Sequence, residues 1–421
     1  MDVWAQYKKY YNDLRYEAND SDMLKLCVGL SGTFFFWGGE TQQKRLAVAN
    51  CFEEFERLFA DRIKWVLPVE DVSRREVMKG GKKVIPTVRE YVATMDPDDE
   101  LDWKISGGRS PDEASDCYMA VLTTRQWEIE VHNPLSWMTF AMPIEAVYGP
   151  DGDPNLFINF VRYCSEQLRP WHGSAGLASL LPHENSESCV AEFDLQQRYF
   201  GLDVVTGDFY LGNRLQTNLK GANWLTFFDQ TFPSTVSREQ WESLRATPGL
   251  QVWKAGHAYV IQAGEQPILG PVPDGVPLLY KAVSDVIKPM RLSPMESFHI
   301  GSMTGEIRFN ERTSELWSRR FDAPGIWPPY PDQIEFHDVD DTVDEYAAET
   351  TSPPEPQPPA EPPRVDVISA LPGQPCPRSG DWFSPFLRQS KHVEVGQSMP
   401  GPDRDASGNQ VIWYLREERV F

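Results

Sequence analysis

This 421-residue sequence has little of three things: cysteine, long apolar runs and clustered basic residues. Its six cysteines lie far apart, most of them within apolar or helical runs, so we expect free thiols in a reducing compartment and no disulfide framework. It has no stretch of about 18 apolar residues, and its first twenty residues lack the apolar centre of a signal peptide. We therefore expect a cytoplasmic protein.

The charge balance excludes two classes of partner. Asp and Glu number 62 against 40 Lys and Arg, which gives a formal net charge of −22. Proteins that bind nucleic acid or anionic membranes need clustered basic residues, so neither is expected as a partner. The sequence favours a basic protein partner instead.

Motifs that would indicate catalysis or metal binding are also missing. The sequence has no HExxH, CxxC, GxxxxGK[ST] or GxGxxG pattern, and no two of its seven histidines are four residues apart. We expect no catalytic residues, no metal and no cofactor. One run, His172 to Gly176, faintly resembles a hydrolase nucleophile turn, but the glycine required two residues before Ser174 is replaced by His172.

Composition divides the chain into three parts. The stretch from Glu335 to Pro363 carries nine carboxylates, no Lys or Arg, and seven prolines. Such a stretch cannot bury enough apolar surface to fold, so it predicts an extended linker. We predict a body over residues 1–320, an acidic, proline-rich linker over 321–366 and a small module over 367–421.

The body has mixed periodicity. Leu24–Trp37 is typical of a strand, Thr41–Asp61 repeats its apolar residues at helical spacing, and the alternating segments Tyr118–Val131 and Ser136–Met142 predict an antiparallel pair. Regular β-α-β alternation is missing, which indicates an α+β fold with a large mixed antiparallel sheet and helices. The C-terminal module has three short strand-like runs, with Trp382 and Trp413 among its core candidates, and predicts a small all-β, barrel-like unit.

Seven short blocks, taken in order, resemble the immunity-protein family associated with bacterial type VI secretion. The blocks are Asn133–Phe140, Trp171–Leu177, Tyr199–Asp203, Leu211–Leu215, Asn223–Thr226, Val260–Gly264 and Lys288–Met290. The resemblance covers roughly residues 20–300, and Gly173 and Gly176 of the second block are interpreted as turn residues. A weaker resemblance, carried by Pro372–Trp382, is to a small module appended to such immunity proteins.

The resemblance implies that the chain binds and inhibits a toxin, and it supplies no catalytic residues. An acidic inhibitor can occlude a basic cleft, so we expect a cognate toxin that acts in the cytoplasm on nucleic acid or nucleotides. Two alternatives stay open: an adaptor or chaperone for a secreted effector, and a hydrolase whose site is not visible in the sequence.

The candidate toxin-binding residues are carboxylates of two acidic loops and of the linker, together with aromatic residues of the C-terminal module. They are Asp98, Asp99, Glu100, Asp112, Glu113, Asp338, Asp340, Asp341, Trp382 and Trp413.

Overall fold

The computed structural model describes two compact units of the chain. The first unit comprises residues 1–125 and 134–337, and the second comprises residues 126–133 and 338–421. The residues described are 2–18, 22–68, 75–76, 78–79, 82–83, 87–110, 112–182, 188–206, 208–232, 236–299, 308–330, 369–384, 389–404, 411 and 413–415.

Helices and strands alternate irregularly along the described residues. The helices are α1 (Val3–Lys9), α2 (Gln42–Leu58), α3 (Val88–Val92), α4 (Gln126–Val131), α5 (Ile144–Tyr148), α6 (Leu156–Leu168), α7 (Cys189–Gln196), α8 (Arg238–Ala246), α9 (Leu278–Ile287) and α10 (Glu311–Ser318). The strands of the first unit are β1 (Tyr16–Glu17), β2 (Leu24–Phe36), β3 (Trp65–Pro68), β4 (Arg75–Glu76), β5 (Met78–Lys79), β6 (Lys82–Lys83), β7 (Asp102–Ser106), β8 (Tyr118–Leu122), β9 (Ser136–Met142), β10 (His172–Leu180), β11 (Asp203–Val204), β12 (Leu225–Asp229), β13 (Leu250–Ala255) and β14 (Ala258–Ala263). Those of the second unit are β15 (Ser369–Ala370), β16 (Gly380–Ser384), β17 (Gln389–Val393) and β18 (Trp413–Leu415).

One large sheet organises the first unit. Its strands run in the order β13-β14-β12-β10-β2-β9-β8-β7-β3-β4, with β1 paired to β2 and β11 to β10. Neighbours along this path pair antiparallel, and the longest register joins β10 to β2 from His172↔Phe35 to Leu180↔Cys27. The predicted α+β class with a mixed antiparallel sheet is confirmed.

Aromatic side chains fill the face of the sheet that α2 and α6 cover. The ring of Phe140 on β9 lies 4.7 Å from that of Phe160 on α6, which lies 5.6 Å from Phe55 on α2. Thr41 caps α2 by accepting a hydrogen bond from the Lys44 amide at 3.2 Å. The apolar spacing that predicts this helix therefore marks the face that packs on the sheet.

The opposite face of the sheet centre is polar and closely packed. Successive residues of a strand alternate between faces, so Thr33 points away from the side of Phe34. The Thr33 hydroxyl lies 3.2 Å from the Thr139 hydroxyl and donates to Asp208 at 3.2 Å. A segment that includes a 3₁₀ helix, Asp208–Asn213, therefore lies over this face.

The two glycines interpreted as turn residues lie inside β10 instead. A Cβ at Gly173 would lie 2.1 Å from the Thr33 carbonyl oxygen, and one at Gly176 would lie 2.2 Å from Asn223 Oδ1. Glycine is required there because neighbouring atoms approach too closely for a side chain.

The predicted strand Tyr118–Val131 is correct only in its first part. It ends at Leu122, and residues 126–131 form α4. The end of this helix explains the difference: Asn133 has a left-handed backbone (φ 47°), its amide donates to the Glu128 carbonyl at 3.0 Å, and Pro134 follows. An asparagine in this conformation followed by proline terminates a helix, and this signal outweighs the short alternation of apolar and polar residues.

The second unit contains an open four-stranded sheet in the order β15-β18-β16-β17. Trp382 and Trp413 are fully buried in its small core. Its β architecture is as predicted, but the two edge strands β15 and β17 are not paired with each other in the described residues, so no closed barrel is formed there.

Packed structure of the first unit extends beyond residue 320. Phe321 and Trp327 are buried in its core, and the Trp327 indole donates to the Gln196 carbonyl at 2.9 Å. The rest of the predicted linker, residues 331–366, lies outside the described residues.

Candidate interaction surface

The first candidate surface is the acidic loop, residues 96–100, which connects α3 to β7. Asp96 is exposed, and Asp98, Asp99 and Glu100 are half-buried. The Asp99 carboxylate accepts a hydrogen bond from the Asp96 amide at 2.7 Å, and the Asp99 amide donates to the Asp96 carbonyl at 3.0 Å. The structure thus brings the three candidates Asp98, Asp99 and Glu100 together in one closed turn.

A buried arginine on α2 forms hydrogen bonds to the backbone of this loop. Arg45 on α2 is only 1% exposed, and its guanidinium donates to the carbonyls of Asp96 (2.6 Å), Pro97 (3.3 Å) and Asp99. Its Nε donates to the Gly39 carbonyl at 3.1 Å. The residue was missed by sequence reasoning because nothing in a helical segment marks one arginine as buried.

The carboxyl groups of Glu100 and Asp102, in and next to the loop, have different electrostatic surroundings. Glu100 forms an ion pair with Arg125. Burial, together with the negative charge of Glu100, raises the pKa of Asp102 to about 6, although Lys104 opposes this shift. A half-buried carboxyl group with a raised pKa therefore flanks the carboxylates of the loop.

The second predicted acidic loop is arranged differently. Burial raises the pKa of Glu113, but hydrogen bonds from the Arg109 side chain and backbone outweigh this effect and lower it overall. Its carboxylate also accepts from the Leu24 amide at 3.3 Å, whereas Asp112 is half-buried. Because Glu113 is 6% exposed and serves internal contacts, little of it is accessible to a partner.

The other candidates do not form a described surface. Trp382 and Trp413 are both 0% exposed, so they lack the exposure that a contact role in this state requires. Their burial has a simple physical cause, because these two indoles form much of a core that has few other large residues. Asp338, Asp340 and Asp341 lie outside the described residues.

A surface groove was not anticipated from the sequence. It has a volume of about 320 Å³ and lies between the N-terminal segment and α7, with Tyr16 (38% exposed) and Val190 (40% exposed) among its lining residues. Its charged lining residues, two acidic and two basic, are Asp13, Arg15, Asp194 and Arg198. The groove therefore offers apolar contact area without net charge, and its walls come from parts of the chain too distant for a sequence motif to join.

Charged residues also meet inside the first unit. The Lys220 ammonium lies 2.9 Å from Asp203 Oδ1 and 2.6 Å from Asp208 Oδ1, and it donates to the Val204 carbonyl. Burial lowers the pKa of Lys220, but the two carboxylates outweigh this effect and raise it. A lysine that stays charged and uses its three N–H groups internally is suited to holding the fold together rather than to acting as a base or nucleophile.

His172 and Ser174, the residues considered for hydrolysis, each form a hydrogen bond to a different group. His172 Nε2 lies 2.8 Å from the Leu215 carbonyl oxygen, and burial lowers the pKa of His172 to about 4. The Ser174 hydroxyl donates to Asp203 Oδ2 at 3.1 Å. In this geometry the serine bonds to an aspartate and the histidine to a backbone carbonyl, so the two do not form a nucleophile–base pair.

In the part of the chain that the structure describes, no three or more His, Cys, Asp or Glu side chains are arranged to hold a metal ion. No helix among these residues combines the length and apolarity required to cross a bilayer.

Comparison with known proteins gives a consistent family assignment. The model of the TsiV family, described as type VI immunity for VRR-NUC, matches residues 47–321. Among solved structures, the Pseudomonas aeruginosa T6SS protein PA0821 is similar, with a TM-score of 0.65 and 25% identity over 76% of this chain and 91% of that chain. No curated protein sequence matches significantly. Because the family match spans more than half of the sequence and includes the acidic loop, the chain belongs to the TsiV family of type VI immunity proteins.

Proposed function

We propose that this protein neutralises a cognate VRR-NUC toxin by binding it through the acidic loop and occluding its active site. The single observation that carries the proposal is the family match over residues 47–321, which includes this loop. A nuclease must attract a polyanionic substrate, so its substrate-binding surface is expected to be basic. An acidic loop of fixed shape is complementary to such a surface.

Charge also favours rapid recognition. The formal net charge is −22, and opposite charges on two proteins increase their association rate through long-range attraction. Binding should therefore be fast at low ionic strength and slower as salt screens the charges. Inhibition of this kind needs one inhibitor per toxin and no turnover, so we propose a non-enzymatic protein that acts in the cytoplasm, where nucleic acid is accessible.

The test uses the full-length protein and the VRR-NUC protein that we expect to be encoded beside it. Titrating the immunity protein into a DNA-cleavage assay should abolish cleavage near a one-to-one ratio, and co-expression should rescue cells that produce the toxin. Asp96→Lys combined with Asp98→Lys should slow association and weaken its dependence on salt, because the reversed charges repel a basic surface.

Matched control variants distinguish a specific role of the acidic loop from an effect of the net charge of the protein. Glu239→Lys combined with Glu265→Lys makes the same change in net charge on exposed residues at α8 and after β14, beside the opposite end of the sheet. Val190→Glu introduces a charge into the groove near α7. The proposal expects both to inhibit as the wild type does. Association of the loop variant that is as fast and as salt-dependent as that of the wild type, or loss of inhibition only in the Val190 variant, would contradict the proposed surface.

A further inference from the structure

We propose that Arg45 is the positioning residue of the toxin-binding surface: its buried guanidinium fixes the shape of the acidic loop without touching the partner. This inference rests on the proposed function. Arg45 lies on α2, and its side chain donates to four carbonyl groups, one at Gly39 and three between Asp96 and Asp99. Five N–H donors in a planar fork make arginine able to join two loops in this way.

Contacts that do not involve Arg45 also restrain the loop. Val92 and Leu101 are buried on either side of it, and the Leu101 amide donates to the Thr123 hydroxyl at 3.0 Å. Between these anchors, Asp96 and Asp99 bond to each other reciprocally, the Met95 amide donates to the Val92 carbonyl at 3.3 Å, and Glu100 forms an ion pair with Arg125. To these the guanidinium adds hydrogen bonds from α2 to three backbone carbonyls of the loop, those of Asp96, Pro97 and Asp99.

The same guanidinium also balances charge. Burial lowers the pKa of Arg45, while the nearby carboxylates of Asp99, Glu40 and Asp98 raise it. Carboxylates gathered in one turn repel one another, and the buried cation reduces this repulsion while their outer sides remain accessible. A loop that is already ordered does not lose conformational entropy when the partner binds, so its affinity is higher.

Arg45→Lys tests this role without changing the net charge. An ammonium group cannot reach four carbonyls in a fork geometry, so hydrogen exchange at the amides of Asp98, Asp99 and Glu100 should become faster. Affinity for the VRR-NUC protein should fall about tenfold, because binding must then order the loop. The salt dependence of association should stay as in the wild type, since every carboxylate remains.

Arg57→Lys is the matched control. It makes the same substitution on the same helix at a side chain that is 67% exposed and pairs with Glu54 on that helix, so neither exchange nor affinity should change. If Arg45→Lys destabilises the whole unit, Asp99→Ala and Asp99→Asn provide a second route. Both remove the charge, but only alanine removes the acceptor for the Asp96 amide, so alanine should bind more weakly than asparagine.

Each outcome is decisive. Faster exchange confined to the loop, with weaker binding and an unchanged salt dependence, supports the proposal. Unchanged exchange in Arg45→Lys overturns it, because the loop then holds its shape without the guanidinium. Faster exchange with unchanged affinity overturns it too. In that case, weaker binding by the Asp96→Lys, Asp98→Lys variant would show that only the role of Arg45 is wrong. Normal binding by that variant as well would show that the proposed toxin-binding surface is wrong.

Discussion

Lys220 and Asp208 form a buried ion pair, with Nζ and Oδ1 2.6 Å apart, at the polar face of the central sheet. Asp203 shares the same ammonium at 2.9 Å, and both carboxylates are at least nine-tenths buried. The three residues hold the segment after β11 against β2 and β10. The cluster therefore links fold stability to charge in the interior of the first unit.

Lys220→Met should destabilise the first unit strongly. The substitution leaves two buried carboxylates without their cation, a change that costs about 3 to 5 kcal/mol in the free energy of unfolding. Lys281→Met is the control, because Lys281 forms a surface pair with Asp285 and its loss should cost less than about 1 kcal/mol. Urea denaturation of both variants measures the difference, and equal costs would show that the buried cluster contributes little.

His172 should make the protein less stable in acid. Its pKa is lowered by burial to about 4 from an ordinary 6.5, so between these values the unfolded chain binds a proton that the folded chain does not. Stability should therefore rise with pH across that window, by up to about 3 kcal/mol from this residue. His172→Gln keeps a donor toward Leu215 but does not titrate, so its unfolding free energy should depend less on pH. The exposed His257→Gln variant should retain the wild-type profile.

Asp208 should make the protein more stable in acid, which is the opposite of the effect of His172. Burial raises its pKa to about 7 from 3.8, so the folded chain holds a proton that the unfolded chain releases between these values. The contribution of this residue is fully present below about pH 4 and is lost as the pH rises through 7. The stability of Asp208→Asn relative to the wild type should therefore increase with pH over this range. Chemical denaturation at several pH values tests this, and a constant difference would contradict it.

Local patterns predicted much of the fold. The apolar spacing of Phe52, Phe55 and Phe59 predicts α2, and Ser237 with Gln240 predicts the capping box of α8, in which both reciprocal hydrogen bonds are present. These signals depend on residues within a few positions of one another. Neighbouring side chains and backbone groups decide such structures, so the sequence alone is sufficient.

Long-range partners could not be predicted in the same way. The acidic loop is visible in the sequence as a run of carboxylates, but its link to Arg45 joins residues more than fifty positions apart. The burial of Glu113 likewise involves a contact with Leu24, which lies 89 positions away and is not indicated by the residues around Glu113. Such features require the tertiary structure, because a charged side chain looks the same in sequence whether it is solvated or buried.

Gly173→Ala should destabilise the central sheet. A Cβ at this position would lie 2.1 Å from the Thr33 carbonyl oxygen, and β2 cannot move away without breaking its pairing with β9 and β10. We expect a loss of about 2 to 4 kcal/mol, in the range of overpacked cores and above. Gly221→Ala is the control, because its Cβ would have no neighbour nearer than 4.0 Å. Similar melting temperatures for the two variants would contradict this account.

Trp382→Ala should unfold the sheet of the second unit and leave the proposed inhibition of a VRR-NUC toxin intact. Trp382 is fully buried in a small core, and removing a buried tryptophan costs about 3 to 5 kcal/mol, comparable to the whole stability of so small a unit. Hydrogen exchange should then accelerate in β16–β18 but not in β2 or β10. Val395→Ala, at a side chain that is 64% exposed, should change neither region.

We expect the proposed inhibition to persist because the family match ends at residue 321 and the acidic loop belongs to the first unit. A DNA-cleavage assay with the VRR-NUC protein should therefore give the same inhibition by Trp382→Ala as by the wild type. Loss of inhibition in this variant, with exchange in the first unit unchanged, would show that the second unit contributes to toxin binding and that a surface confined to the first unit is insufficient.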